Sequence, residues 1–159
     1  MNMHFGFSGV GLIIFLIPMI INIFYMIFPP KINNEKERPK NKKLAVLEMI
    51  EQFTRIAYVV ILCIFISDKS LNYKSPLLYI SIVFLILYYI VWIRYFIGGR
   101  DVKLLGEKFL FIPLPLSIFP VLYFIFAALW MNNYIAAVVM IIFGIDHNII
   151  SYENLFHSK

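Results

Sequence analysis

A handful of residues that could do chemistry stand out in this 159-residue chain against an apolar background. Glu48, Glu51 and Arg55 follow one another at i, i+3 and i+7, which puts all three on one face of a helix. Glu51 and Arg55 are also an i, i+4 pair with the acid first, the better order for an ion pair. Gln52 and Thr54 add polar groups to the same turn. Far along the chain stand Asp146 and His147. Neighbours on a helix point about 100° apart, so the two can line one cavity from different directions. Histidine is the side chain that titrates near neutral pH. Asn22 comes one turn after Pro18, whose missing N–H frees the carbonyl of Ile14 for another donor. Arg94 closes an apolar run beside Tyr88, Tyr89, Trp92 and Tyr95.

Each of these also has a plainer reading. Glu51 and Arg55 form a structural ion pair, with Glu48 among lipid headgroups. Arg94 reaches the headgroups on its long stem. The aromatic residues around it read as an interfacial belt. Asn22 is polar glue between helices. Cys63, the one cysteine, lies in VVILCIFI and reads as a small buried hydrophobe. It has no second cysteine for a disulfide and no zinc-type spacing around it, so no metal or cofactor is expected. Ser151, one turn after His147, is the one hydroxyl near a base.

The background explains why these residues matter. Hydrophobic residues make up 62% of the chain and charged ones 14%, against about 45–50% and about 25% in soluble domains. Mean hydropathy is +0.84. This composition points to an all-α bundle of transmembrane helices and excludes a disordered tail, a nucleic-acid-binding domain and an ordinary soluble enzyme. Ionisable groups inside membrane spans are costly and usually face the bundle interior, so each is a functional candidate.

A span needs about 20 mostly apolar residues. The runs at about 6–28, 44–67, 76–97, 109–131 and 134–152 predict five spans in one domain. The alternative is four, with the last two runs forming a hairpin that does not fully cross. Pro29-Pro30 stops the first run, which reads as a retained helix rather than a cleaved signal. Ser75 and Pro76 predict a capped helix start, and Gly98-Gly99 a stop. Pro113, Pro115 and Pro120 predict an extended lead-in over 109–116, with the fourth helix starting near Ser117 or Pro120. Asn132-Asn133 predicts a minimal turn.

Basic residues set the orientation. Lys31, Lys36, Arg38, Lys40, Lys42, Lys43, Arg94, Arg100, Lys103, Lys108 and Lys159 fall on one side, and only Lys69 and Lys74 on the other. The N-terminus is therefore expected outside and the C-terminus in the cytoplasm. With alternating spans, Asn22, Glu48, Glu51, Arg55, Arg94, Asp146 and His147 share the cytoplasmic leaflet.

Several stretches resemble a family of small integral membrane proteins of clostridia-like bacteria: FGFSGVGLIIFLIPMIIN ending in FPPK, LEMIEQFTRI, YYIVWIRYF, FPVLYFIFAALW and IIFGIDHNII. The resemblance covers nearly the whole chain. It implies a multi-pass helical protein of the bacterial cytoplasmic membrane and carries over no functional residue. Glu51 with Arg55, and Phe143-x-x-x-His147, also resemble motifs of CAAX-protease-like membrane proteins. Here, however, there is no adjacent pair of glutamates before Arg55, and His4 and His157 are terminal.

Taken together, the residues favour a binder or carrier of a lipid or small molecule, or a subunit of a membrane complex, over an enzyme. The bilayer is the first partner. A lipid-like ligand, a homo-oligomer and a membrane complex are the further ones, and nucleic acid is not. The alternatives are an intramembrane acid–base enzyme using Glu51 and His147 on a lipid-like substrate, and an oligomeric channel or transporter.

Overall fold

Serine and proline open the helices where the sequence places them. In the computed structural model, which describes residues 3–30, 42–101 and 103–156, helix α1 (Gly9–Ile27) is capped by Ser8, whose side chain accepts from the Gly11 N–H at 3.0 Å. Helix α2 spans Lys42–Ile64. Ser75 caps α3 (Pro76–Ile97), with Pro76 in its first turn. The helix stops at Gly98, and Gly99 takes the positive φ of 81°. A single short turn, α4 (Lys103–Gly106), precedes α5 (Pro115–Trp130) and α6 (Tyr134–Phe156). Among the described residues these six helices are joined by one antiparallel ribbon, β1 (Met3–Phe5) with β2 (Phe65–Ser67).

Three helices, α1, α3 and the stretch Tyr134–Glu153 of α6, are long and apolar enough to cross a membrane. The helix α2 is as long but carries Lys42, Lys43, Glu48, Glu51 and Arg55. The helix α5 is apolar but has only 16 residues.

Two boundaries differ from the sequence expectation. The fourth long helix starts at Pro115, earlier than Ser117 or Pro120, because proline at the first helical position forfeits no hydrogen bond. The lead-in is not extended. Phe109 and Ile112 exchange backbone bonds of 3.1 and 2.9 Å around Leu110 and Phe111, both with positive φ. The ribbon was not anticipated either. It ends the second run at Ile64 and turns 65–67 into a strand. The basic residues Lys31, Lys36, Arg38, Lys40 and Lys159 lie outside the described residues.

The bundle is centred on α5, nine of whose residues are buried. Small residues draw α6 against it: Ala127 and Ala128 on α5, and Ala136 and Ala137 on α6, are fully or almost fully buried. Near the far end of this pair, a Cβ on Gly144 would meet Val121 Cγ1 at 2.5 Å, so only glycine permits that spacing. The Asn132-Asn133 turn does more than connect. Asn132 has φ 55°. Buried Asn133 accepts from the Ala136 N–H at 3.0 Å, capping α6, and donates to the Ile61 and Phe65 carbonyls at 3.2 and 3.0 Å.

Each long helix runs antiparallel to the next. Ser8 N–H bonds the Cys63 carbonyl at 2.7 Å, and Gly11 packs on the Leu62 carbonyl so closely that a Cβ would approach it to 2.3 Å. The Trp130 indole donates to the Asn72 carbonyl at 2.8 Å. One end of the bundle thus gathers the start of α1, the end of α2, the start of α3, the end of α5 and the start of α6. The opposite end gathers Asn22, Glu51, Arg55, Arg94 and His147.

Candidate functional site

Glu51 organises the polar end. It is buried on α2, where its carboxylate pairs with Arg55 one turn on. The same oxygen, Oε1, lies 3.2 Å from His147 Nδ1 on α6. An ionised carboxylate only accepts, so Nδ1 carries the proton of this contact. Phe143, one turn before His147, locks the arrangement. Its ring stacks on the imidazole at 5.1 Å and lies 5.6 Å from the Arg55 guanidinium, close enough for a cation–π contact. Thr54 turns its hydroxyl back to the Ile50 carbonyl at 2.8 Å and leaves the cluster alone.

The cluster sits at one end of a cavity of about 600 Å³. That is within the range of small-molecule sites. Its apolar part is formed by Phe15 and Met19 of α1, Val59 of α2, Phe124 of α5 and Met140 of α6. Its polar groups are Arg55, His147, Asn22, Tyr88, Trp92 and Tyr58. The Tyr88 hydroxyl donates to Asn22 Oδ1 at 2.9 Å, and Tyr58 donates to the Phe124 carbonyl at 3.1 Å. The Trp92 indole N–H is buried beside the Tyr88 hydroxyl and completes no hydrogen bond of good geometry.

The helices α1 and α2 touch at Gly11 and Leu62 and then stand on opposite walls of the cavity. Ile56 lines it although 64% exposed, and the Arg55 side chain is 48% exposed. The cavity is therefore open on its α1–α2 side.

Of the seven residues singled out by sequence, four meet here: Asn22, Glu51, Arg55 and His147. The other three do not. Glu48 is exposed on α2 and makes no ion pair among the described residues. Arg94 turns away from the cavity. It donates to the Leu104 carbonyl at 2.6 Å, lies 3.5 Å from the Glu107 carboxylate and covers the Phe109 ring, so it pins the segment before α5 rather than reaching for headgroups. Asp146 is buried with Oδ2 unpartnered and forms no ion pair with Arg55. Its 100° offset from His147 takes it off the cavity wall.

The aromatic residues required a larger correction. Tyr88, Trp92 and Tyr95 are buried and form a core cluster with Val91 and Phe119, not a belt at the membrane surface. Spacing alone signals this: positions 88, 91, 92 and 95 recur at i, i+3, i+4 and i+7, which is one helix face.

No family model matches the chain, and comparisons with curated proteins and with solved structures find no match. The fold defines an all-helical protein in which, among the described residues, three helices are long and apolar enough to cross a membrane.

Proposed function

We propose that the chain is a five-span protein of the bacterial cytoplasmic membrane that binds or carries a lipid-like amphiphile in the cavity between α1 and α2. In this reading it is kin to the small multi-pass proteins of clostridia-like bacteria that its sequence resembles, with its N-terminus outside and its C-terminus in the cytoplasm. The observation that carries the proposal is the cavity itself: apolar along its length, polar at one end, and open sideways between two helices.

Five spans require α2 and α5 to cross as well. The charges of α2 crowd its first half, and its second half is apolar. The 16 residues of α5 rise about 24 Å, short of a core of about 30 Å. The segment Phe109–Ile112 supplies the difference by folding back at the headgroup level, where Phe111 is fully exposed. Isoleucines exposed along α1, α3 and α6 face the hydrocarbon.

Native mass measurement after extraction in mild detergent tests the proposal. The expected result is one lipid-like adduct per chain, lost when Val59→Trp fills the cavity. A chain of bare mass, or an adduct indifferent to the filled cavity, would contradict it.

A second reading rests on the Glu51–His147 contact. A carboxylate on Nδ1 of a histidine that lines the cavity is the arrangement of a general-base catalyst working through Nε2. Among the described residues no serine, threonine or cysteine lines the cavity, so proton transfer on a bound amphiphile is the chemistry this reading supports.

A further inference from the structure

The donors and acceptors on the cavity wall are unequal, and this imbalance bears on the ligand's head. Arg55 presents five N–H groups, and among the described residues its pairing is with Glu51 alone. The buried Trp92 indole N–H has the Tyr88 hydroxyl beside it but no hydrogen bond of good geometry. The Asn22 amide N–H₂ has only the Met19 sulfur at 3.8 Å, a weak acceptor. Of the oxygens nearby, Asn22 Oδ1 is engaged by Tyr88 and Glu51 Oε1 by both Arg55 and His147, and Glu51 is not among the residues that line the cavity. Spare N–H groups in a membrane interior call for oxygen acceptors, since each unsatisfied one is costly there.

Resting on the amphiphile reading above, we infer that the occupant is a single-chain amphiphile with an anionic oxygen head, a carboxylate or a phosphate monoester. The head meets the Arg55 guanidinium between Asn22 and Trp92. The chain runs past Met19, Val59 and Phe124 toward Met140. A cation would face the guanidinium and find no free carboxylate oxygen among the wall residues, and a neutral ester would leave the strongest donor without a charged partner.

The charges also balance. Around His147 the charged groups are Glu51 and Arg55 on α2, with Asp146 on its own helix turned off the wall. The packed helix α5 has no charged residue, and α1 has none either. Glu51 and Arg55 cancel, so the wall offers an acidic head the spare N–H groups of Arg55, Asn22 and Trp92 with no carboxylate opposing it among the lining residues.

Trp92 provides the readout, because the chain has two tryptophans and Trp130 lies at the opposite end of the bundle. Purified protein in a nonionic detergent would be titrated with four brominated probes of equal chain length: a fatty acid, an alkyl phosphate, the fatty acid's methyl ester and an alkyl trimethylammonium. Bromine quenches tryptophan on contact. The expected result is saturable quenching by the acid, the phosphate or both, at least about tenfold tighter than by ester or cation, as a charge-assisted bond implies. Trp92→Phe should abolish the saturable component. Arg55→Gln should erase the preference for anions, while Arg55→Lys keeps part of it. Equal affinity for acid and ester in the wild type would overturn the anionic head and leave the cavity reading intact. No saturable quenching by any probe would overturn both. The wild-type comparison needs no variant to fold.

Discussion

Arg55 carries more of this account than any other residue, and the cost of losing it is predictable. Removing it leaves Glu51 buried with half its partners gone. Arg55→Ala should destabilise the protein by about 1–3 kcal/mol, less than the fully buried case because the side chain is half exposed. The Glu51→Leu/Arg55→Leu double substitution should cost less than Arg55→Ala alone, since no charge is then stranded. Thermal unfolding in detergent compares the three, and equal midpoints for wild type and Arg55→Ala would count against the buried pair.

Pro18 supports a second test at this scale. The carbonyl it frees, that of Ile14, accepts from the Tyr123 hydroxyl of α5 at 2.8 Å, and Tyr89 of α3 donates to the Ile17 carbonyl at 2.5 Å. Tyr123→Phe should therefore cost about 1 kcal/mol in the wild type. In a Pro18→Ala background it should cost less, because the restored N–H bonds Ile14 within the helix. A double-mutant cycle by chemical unfolding measures the difference, and identical costs in the two backgrounds would refute the link. The need at Ile14 was legible from Pro18 alone. Its partner was not, since nothing in the sequence ties position 123 to position 14.

At the scale of elements, what the sequence reveals depends on whether the signal is local. The helix α3 could be read to the residue because Ser75-Pro76 and Gly98-Gly99 are local chemistry. The ribbon of Met3–Phe5 with Phe65–Ser67 could not, because it joins segments some sixty residues apart that have no strand pattern of their own. Within the site, Glu51, Arg55 and His147 were legible from helical spacing and from sharing one end of alternating helices. Trp92 and Tyr88 were misread because aromatic residues near a helix end satisfy the belt pattern and the core pattern alike. Asn133 was read as a turn residue, and its clamp on the end of α2 depends on packing that only the fold supplies.

The α5–α6 seam gives the element-scale prediction. Gly144→Ala should destabilise by about 1–3 kcal/mol, the range for overpacking, as its methyl meets Val121 Cγ1. Val121→Ala should restore most of that loss, because the methyl then meets the Cβ of residue 121 at 3.6 Å, an ordinary contact. Unfolding midpoints of the two single variants and the pair decide it. A pair no better than Gly144→Ala would mean that the seam is not set by this contact.

For the whole molecule, the proposed orientation rests on eleven basic residues on one side against two on the other, with Arg55 counted as intramembrane. In a Cys63→Ala background, a single cysteine at Asn72 should react with an impermeant reagent added to intact cells. One at Asn34 should react only after lysis. The reverse pattern would invert the topology and place the polar end of the cavity on the outer face.

The central claim is that the space between α1 and α2 is a binding site and not a packing gap. An experimental structure of the protein in a lipid environment tests this most directly. The expected result is elongated density from Arg55 and Trp92 along Val59 and Phe124 to Met140, with His147 still on Glu51. A structure in which α1 closes on α2, with Phe15 against Val59 and no density between them, would contradict it.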